Sequence, residues 1–157
     1  TSSRQHVVAG DGEEKTALQA RVASLHVRDR VQFVGWIDGT MKTYLLQNAL
    51  CVVIPSRESE AFPLVTLECY GAGCPVIAPA IPGLKELVLD GQTGMLTKPE
   101  SVESLTQALR ELVARPAYAS KLGARGSQFA GDFSWKTVAR RHLELYENMR
   151  IERKKAG

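Results

Sequence analysis

The chain has 157 residues, 44% of them hydrophobic, 24% charged and 6% aromatic. That is the length of one ordinary domain with an average composition, which excludes disordered, collagen-like and coiled-coil proteins, and a domain this long buries about 70% of its unfolded surface without needing disulfides or a structural metal. Twenty basic against 17 acidic side chains leave a formal charge of +3, too little to imply a nucleic-acid partner.

Short apolar runs alternate with amphipathic stretches along the chain. Residues 5–10 (QHVVAG) predict a first strand, followed by the turn Gly10-Asp11-Gly12 and a helix near 12–26 with Leu18, Val22 and Leu25 on one face. Residues 31–36 (VQFVGW) predict a second strand, and Met41, Leu45 and Ala49 mark a helix near 40–49. The runs 51–56 (CVVIPS) and 75–80 (PVIAPA) predict two more strands, and 94–98 (GMLTK) a weaker fifth. These β-branched, nearly continuous runs suit strands covered on both faces, as in a parallel sheet. Residues 102–113 read as a helix capped by Ser101, Pro116 suits the first turn of another, and Ser134 caps a terminal helix over 134–153. In that last helix Trp135, Val138, His142, Leu145 and Met149 share a stripe. The alternation predicts a single α/β domain over 1–157, a Rossmann-like doubly wound parallel sheet.

Three further features bound the setting. No apolar run reaches the roughly 18 to 20 residues needed to cross a bilayer, and the opening TSSRQHVVAG has no core for a signal peptide. Cys51, Cys69 and Cys74 are odd in number and lack metal-ligand spacing, which predicts free thiols in a reducing, cytoplasmic compartment. The last 22 residues carry seven basic side chains (Lys136, Arg140, Arg141, Arg150, Arg153, Lys154, Lys155) against Glu144, Glu147 and Glu152. A solvated helix face is the plain reading of that tail, and an anionic membrane surface or an acidic partner is the other.

In such sheets ligands bind beyond the carboxyl ends of the strands, near helix N-termini. The turn at Gly10 is weak evidence alone, since it is neither G-x-G-x-x-G nor a G-x-x-x-x-G-K-[ST] loop. The stretch Ser56 to Ala78 (SRESEAFPLVTLECYGAGCPVIA) says more. A buried strand ends at Pro55-Ser56, a short loop follows, and Pro63 sits where a first helical position is expected. The helix then runs through Leu64, Val65, Leu67, Glu68 and Tyr70 and stops at Gly71 to Gly73. Backbone N–H groups near Phe62, Leu64 and Val65 would point from its N-terminus into a crevice, ready for a phosphate. Glu68, one turn on and roughly 6 Å along the axis, and Glu60, ahead of the helix, would bracket that anion. Two carboxylates serve poorly for a phosphate and well for a polyol attached to it, because a carboxylate accepts two hydrogen bonds from a diol. Read as isolated acids, Glu60 would be an exposed loop residue and Glu68 half of a surface ion pair.

The stretch Glu60-Ala61-Phe62-Pro63-Leu64-Val65-Thr66-Leu67-Glu68, followed by Gly71-Ala72-Gly73-Cys74-Pro75-Val76-Ile77-Ala78, resembles the E-x7-E motif of retaining GT-B glycosyltransferases of family 4. Val7 to Gly12, Val31 to Ile37, Gly83 to Val88, Asp90 to Gly94 and Phe133-Ser134-Trp135 continue the resemblance in order along the chain. It implies the C-terminal, donor-binding half of a GT-B fold, transferring a sugar from a nucleoside diphosphate with retention at the anomeric carbon. Glu68 would bind the ribose hydroxyls and Glu60, as the catalytic residue, the hydroxyls of the transferred sugar. The amides of Phe62, Leu64 and Val65 would hold the distal phosphate or the sugar. The backbone at Trp36-Ile37 would meet the base, and Gly10 would let the diphosphate approach. The family works without a metal or other cofactor, and the chain has no D-x-D pair.

The chain departs from the family pattern at Pro63, where Gly is frequent and which cannot donate a hydrogen bond. The resemblance also implies a first strand–helix unit, with an Arg…Lys pair that neutralises the leaving diphosphate, and an N-terminal acceptor-binding domain; neither is among these residues. Loss of those cations would cost several kcal/mol of transition-state stabilisation, so the chain is expected to be poorly active alone and to be completed by a missing N-terminal domain or a second chain. The absent strand is central in the usual order, so two unpaired strand edges are expected. The acceptor stays unknown. A non-catalytic binding or interaction module derived from such an enzyme is the alternative. A glycoside hydrolase with Glu60 and Glu68 as its paired acids fits less well, since its acids flank a sugar bond rather than a phosphate-binding helix end.

Overall fold

The computed structural model describes residues 5–155, with side chains through Ile151, and the chain divides into two compact units, Thr1–Tyr44 and Leu45–Gly157. The predicted contribution of Glu152, Arg153, Lys154 and Lys155 to a basic tail lies outside the described side chains.

In the first unit β1 (His6–Ala9) and β2 (Val31–Gly35) pair in parallel, from His6 opposite Val31 to Ala9 opposite Gly35. A two-stranded parallel pair requires a crossover, here α1 (Lys15–Ser24) and a 3₁₀ turn at Arg28–Arg30. The expected strand cover on both faces does not hold here. None of the described residues of this unit is fully buried. Leu18 and Leu25, predicted to share the inward stripe of α1, are 49% and 53% exposed. Helix α2 (Gly39–Asn48) leads into the second unit.

The second unit holds a parallel sheet in the order β3-β4-β5, made of Val52–Val53, Val76–Pro79 and Gly94–Thr97. Strand β3 is shorter than its apolar run. The Ile54 amide still donates to the Ile77 carbonyl at 3.0 Å, but Pro79 of β4, next in register to donate back to β3, has no N–H to continue the ladder. Among the described strands β1 pairs with β2 alone and β3 with β4 alone.

Here the continuous apolar run predicts correctly: all four residues of β4 are buried. Val76 and Ala78 join Ile54, Cys69, Tyr70, Leu84 and Val88 in one core cluster, while Ile77 packs with Ala108, Leu112, Ala119 and Leu122 in the other. Period-2 alternation of the strand therefore builds a core on each side of the sheet. Helix α3 (Leu64–Gly71) and α4 (Leu84–Leu87) supply the first cluster, α5 (Val102–Ala114) the second, and α6 (Pro116–Ala130) both.

The predicted caps form. The Ser104 amide donates to Ser101 Oγ at 3.2 Å, Pro116 opens α6, and the Thr137 amide donates to Ser134 Oγ at 3.2 Å at the start of α7 (Trp135–Lys155). The stripe of α7 is not buried in this chain: Trp135, Leu145 and Met149 are 88%, 54% and 58% exposed. Among the described residues no helix is long and apolar enough to cross a membrane.

Two predictions arise from the core. Thr66 is fully buried, and its Oγ1 has no hydrogen-bond partner among the described residues. Burying an unpaired hydroxyl costs about 1–3 kcal/mol in proteins, and valine keeps the β-branched shape. Thr66→Val is therefore expected to raise stability by about 1 kcal/mol, seen as a higher denaturant midpoint. The second concerns alkali. Burial pushes the Tyr70 phenol from 10.0 up to about 12, against the lowering effect of its 2.8 Å contact with the Thr93 hydroxyl. Burial, reinforced by nearby Cys51, pushes the Cys74 thiol from 9.0 to about 12. The unfolded chain loses both protons first, so these groups leave stability intact below about pH 9 and remove it as pH rises towards 12. Thermal melts across that range are expected to fall steadily, and Tyr70→Phe to flatten the upper part of the fall.

Candidate functional site

Three of the predicted site residues lie together in the first unit. Gly10 follows β1, and Trp36-Ile37 follows β2, at the carboxyl ends of two parallel neighbours. The Gly10 amide donates to the Gly35 carbonyl at 2.7 Å. At φ +119° Gly10 adopts backbone that side chains disfavour, and an added Cβ would meet no atom within 4 Å. Conformation rather than crowding selects glycine there, and the space beside it is open. The Trp36 ring is 80% exposed and Ile37 half-buried. Asp11 binds its own turn: its carboxylate accepts from Lys15 Nζ and the Gly12 amide, both at 3.0 Å. The Lys15 hydrogen bond, then that of Gly12, holds the carboxyl below its usual range. A shallow hollow of about 300 Å³ lined by Gln19, Val22, Arg28, Val31 and Phe33 contains none of the predicted residues.

The other five lie in the second unit, around the start of α3. Pro63 is not the first helical residue, as expected from sequence, but the residue before it: its ψ of 91° is extended and α3 begins at Leu64. Its carbonyl accepts from the Thr66 amide at 3.0 Å, and it offers no side-chain cap. The first amides of a helix have no intrahelical acceptor, so those of Leu64 and Val65 face outward from the N-terminus. Both side chains are exposed, Leu64 at 64%, although the buried positions Thr66, Cys69 and Tyr70 sit on the same helix. Glu68 is exposed one turn further on. Glu60 is half-buried in the loop before the helix, and its Oε1 accepts from the Ser56 hydroxyl. Phe62 leans on Phe133 at 5.9 Å, Phe133 on Phe129 at 5.1 Å, and Phe129 meets the buried Tyr70 edge-on at 6.3 Å. That aromatic chain fastens the loop to the core beneath it.

The segment thus presents an uncapped helix end, which can accept an anion, with one carboxylate before it and one after it along the chain, each able to accept hydrogen bonds from hydroxyls. Among the described residues no group of three or more His, Cys, Asp or Glu gathers to hold a metal ion. Sequence reading overlooked Ser56, Gly83 and the pair Phe129 and Phe133 as supports of this loop. Ser56, Gly83 and Phe133 lie within stretches the sequence singles out (Ser56 to Ala78, Gly83 to Val88 and Phe133-Ser134-Trp135), whereas Phe129 carries no signal there.

Residues 2–129 match the family described as Glycosyl transferases group 1. The glycogen synthase of Mycobacterium tuberculosis (strain CDC 1551 / Oshkosh) is 36% identical over 140 residues, which is 88% of this chain and 34% of that protein. The D-inositol 3-phosphate glycosyltransferase of Frankia alni is 33% identical over 141 residues, 89% of this chain and 34% of that protein. Among solved structures, the sucrose-phosphate synthase of Thermosynechococcus elongatus superposes with a TM-score of 0.80 at 32% identity, over 93% of this chain and 38% of that one. Anabaena HepE in complex with UDP and glucose gives 0.82 at 23% identity, over 92% and 40%, a likeness of fold. The chain spans about a third of the length of the curated relatives it matches.

Proposed function

The chain belongs to the group 1 glycosyl transferases and has the α/β fold of the C-terminal half of a GT-B enzyme, and from that premise we propose that it is the donor-binding part of a retaining, family 4-type glycosyltransferase. What supports this reading is the uncapped start of α3, with Glu60 before it and Glu68 one turn after it along the chain. In this reading the amides of Phe62, Leu64 and Val65 hold the distal phosphate of a nucleoside diphosphate sugar. Glu68 takes the ribose diol, and Glu60 the hydroxyls of the sugar being moved. The Trp36-Ile37 backbone meets the base, and the open space at Gly10 admits the diphosphate. The UDP and glucose bound by HepE, and the sugar-transfer names of the relatives, support the same ligand class.

The acceptor meets residues outside this chain, so the chain binds donor and transfers little by itself. A metal is not required by this arrangement: helix amides take the phosphate charge, and the carboxylates take neutral hydroxyls. Calorimetric titration with UDP, GDP and ADP, and with UDP-glucose, GDP-mannose and ADP-glucose, tests the reading. One base series is expected to bind. A folded protein that binds none of the six contradicts it.

A further inference from the structure

The Glu60 loop is held from a second loop, the one that leaves β4. Its carboxylate is fixed on one side, where Oε1 accepts from the Ser56 hydroxyl, and Oε2 has no protein partner among the described residues. Its backbone is fixed on the other side. The Glu60 amide donates to the Pro82 carbonyl at 3.3 Å, and a Cβ added at Gly83 would fall on the Glu60 carbonyl oxygen. Gly83 itself is pinned at φ +85°, in the region that favours glycine, and its amide donates to Glu86 in the first turn of α4. The loop leaving β4 therefore clamps the backbone of Glu60 while the end of the β3 segment orients its side chain.

We infer that Ser56 and Gly83 are positioning residues for the sugar subsite: Gly83 seats the Glu60 backbone, and Ser56 occupies Oε1 so that Oε2 is presented to a sugar hydroxyl. The inference rests on the donor-site reading above. A carboxylate held at one oxygen loses little rotamer freedom when the other takes up a ligand, so the pair sharpens recognition of the sugar rather than of the nucleotide. Ser56→Ala should then act on one part of the donor only.

The test compares nucleoside diphosphate with nucleoside diphosphate sugar in calorimetric titrations of the full chain, using the base series that the wild type binds. For Ser56→Ala the affinity for the sugar nucleotide is expected to drop about tenfold relative to the bare diphosphate, the worth of one hydrogen bond to a charged group. Binding of the bare diphosphate and the melting temperature should hold. Ser56→Thr, which keeps the hydroxyl, should restore the ratio. Gly83→Ala should lower the same ratio, and Ser56→Ala keeps the test decisive if Gly83→Ala unfolds. An unchanged ratio in Ser56→Ala, or an equal loss for both ligands, overturns the inference while the donor-site reading stands. A wild type that binds no nucleotide overturns both.

Discussion

Glu68→Ala is expected to weaken nucleotide binding at least about 100-fold and to leave the fold unchanged. Hydrogen bonds to a charged group contribute about 1.5–3 kcal/mol each, and a carboxylate facing a ribose diol accepts two of them. Their joint loss therefore exceeds about 2.7 kcal/mol, or two decades of affinity. Glu68→Gln keeps the shape and one good acceptor but loses the charge, so a fall of about tenfold is expected. The residue is exposed on α3, where alanine is the better helix former, so the thermal transition should barely move. Calorimetry with the bound nucleotide, beside a melting curve, checks both halves. An Ala variant that binds nucleotide as the wild type does would remove Glu68 from the site.

Gly123→Ala is expected to damage the second unit severely, costing about 3 kcal/mol or more. Helix α6 passes so close to the turn after α3 that a Cβ at Gly123 would land on the Gly73 carbonyl oxygen, with Pro75 Cδ 3.2 Å away. Neither atom is the end of a flexible side chain, so relief requires the helix or the turn to move. Overpacking commonly costs about 1–3 kcal/mol, and more where backbone must shift. Alanine's helix preference over glycine returns only about 1 kcal/mol, and domains of this kind hold about 5–15 kcal/mol in all. Urea unfolding should show the midpoint falling sharply, and an unchanged midpoint would mean that α6 has room to move away from the turn at Gly73.

The sequence made legible whatever depends on neighbours along the chain. The apolar runs at 5–10, 31–36, 75–80 and 94–98 each contain a strand, and Ser101, Pro116 and Ser134 stand at the starts of helices. What it concealed depends on contacts at distance. Four residues are too few to show a helical period, so α4 was invisible, and with it the clamp on Glu60 formed 23 positions downstream by Gly83. Strand β3 is short because Pro79, on the partner strand β4 that is not adjacent in sequence, has no N–H to donate to it. Pro63 was placed one position too far into the helix, since a fixed φ suits both the residue before the helix and its first turn; the ψ of 91° decides between them. Composition also overstated the burial of β1 and β2. An apolar run shows that cover is wanted, not that these residues supply it.

Amide chemical-shift mapping tests the central claim most directly. On titration with the nucleoside diphosphate sugar that binds, the account predicts the largest shifts at Phe62, Leu64 and Val65, with smaller ones at Glu60 and Glu68. Saturable binding that leaves the amides at the start of α3 unmoved, and perturbs another part of the chain instead, would contradict it.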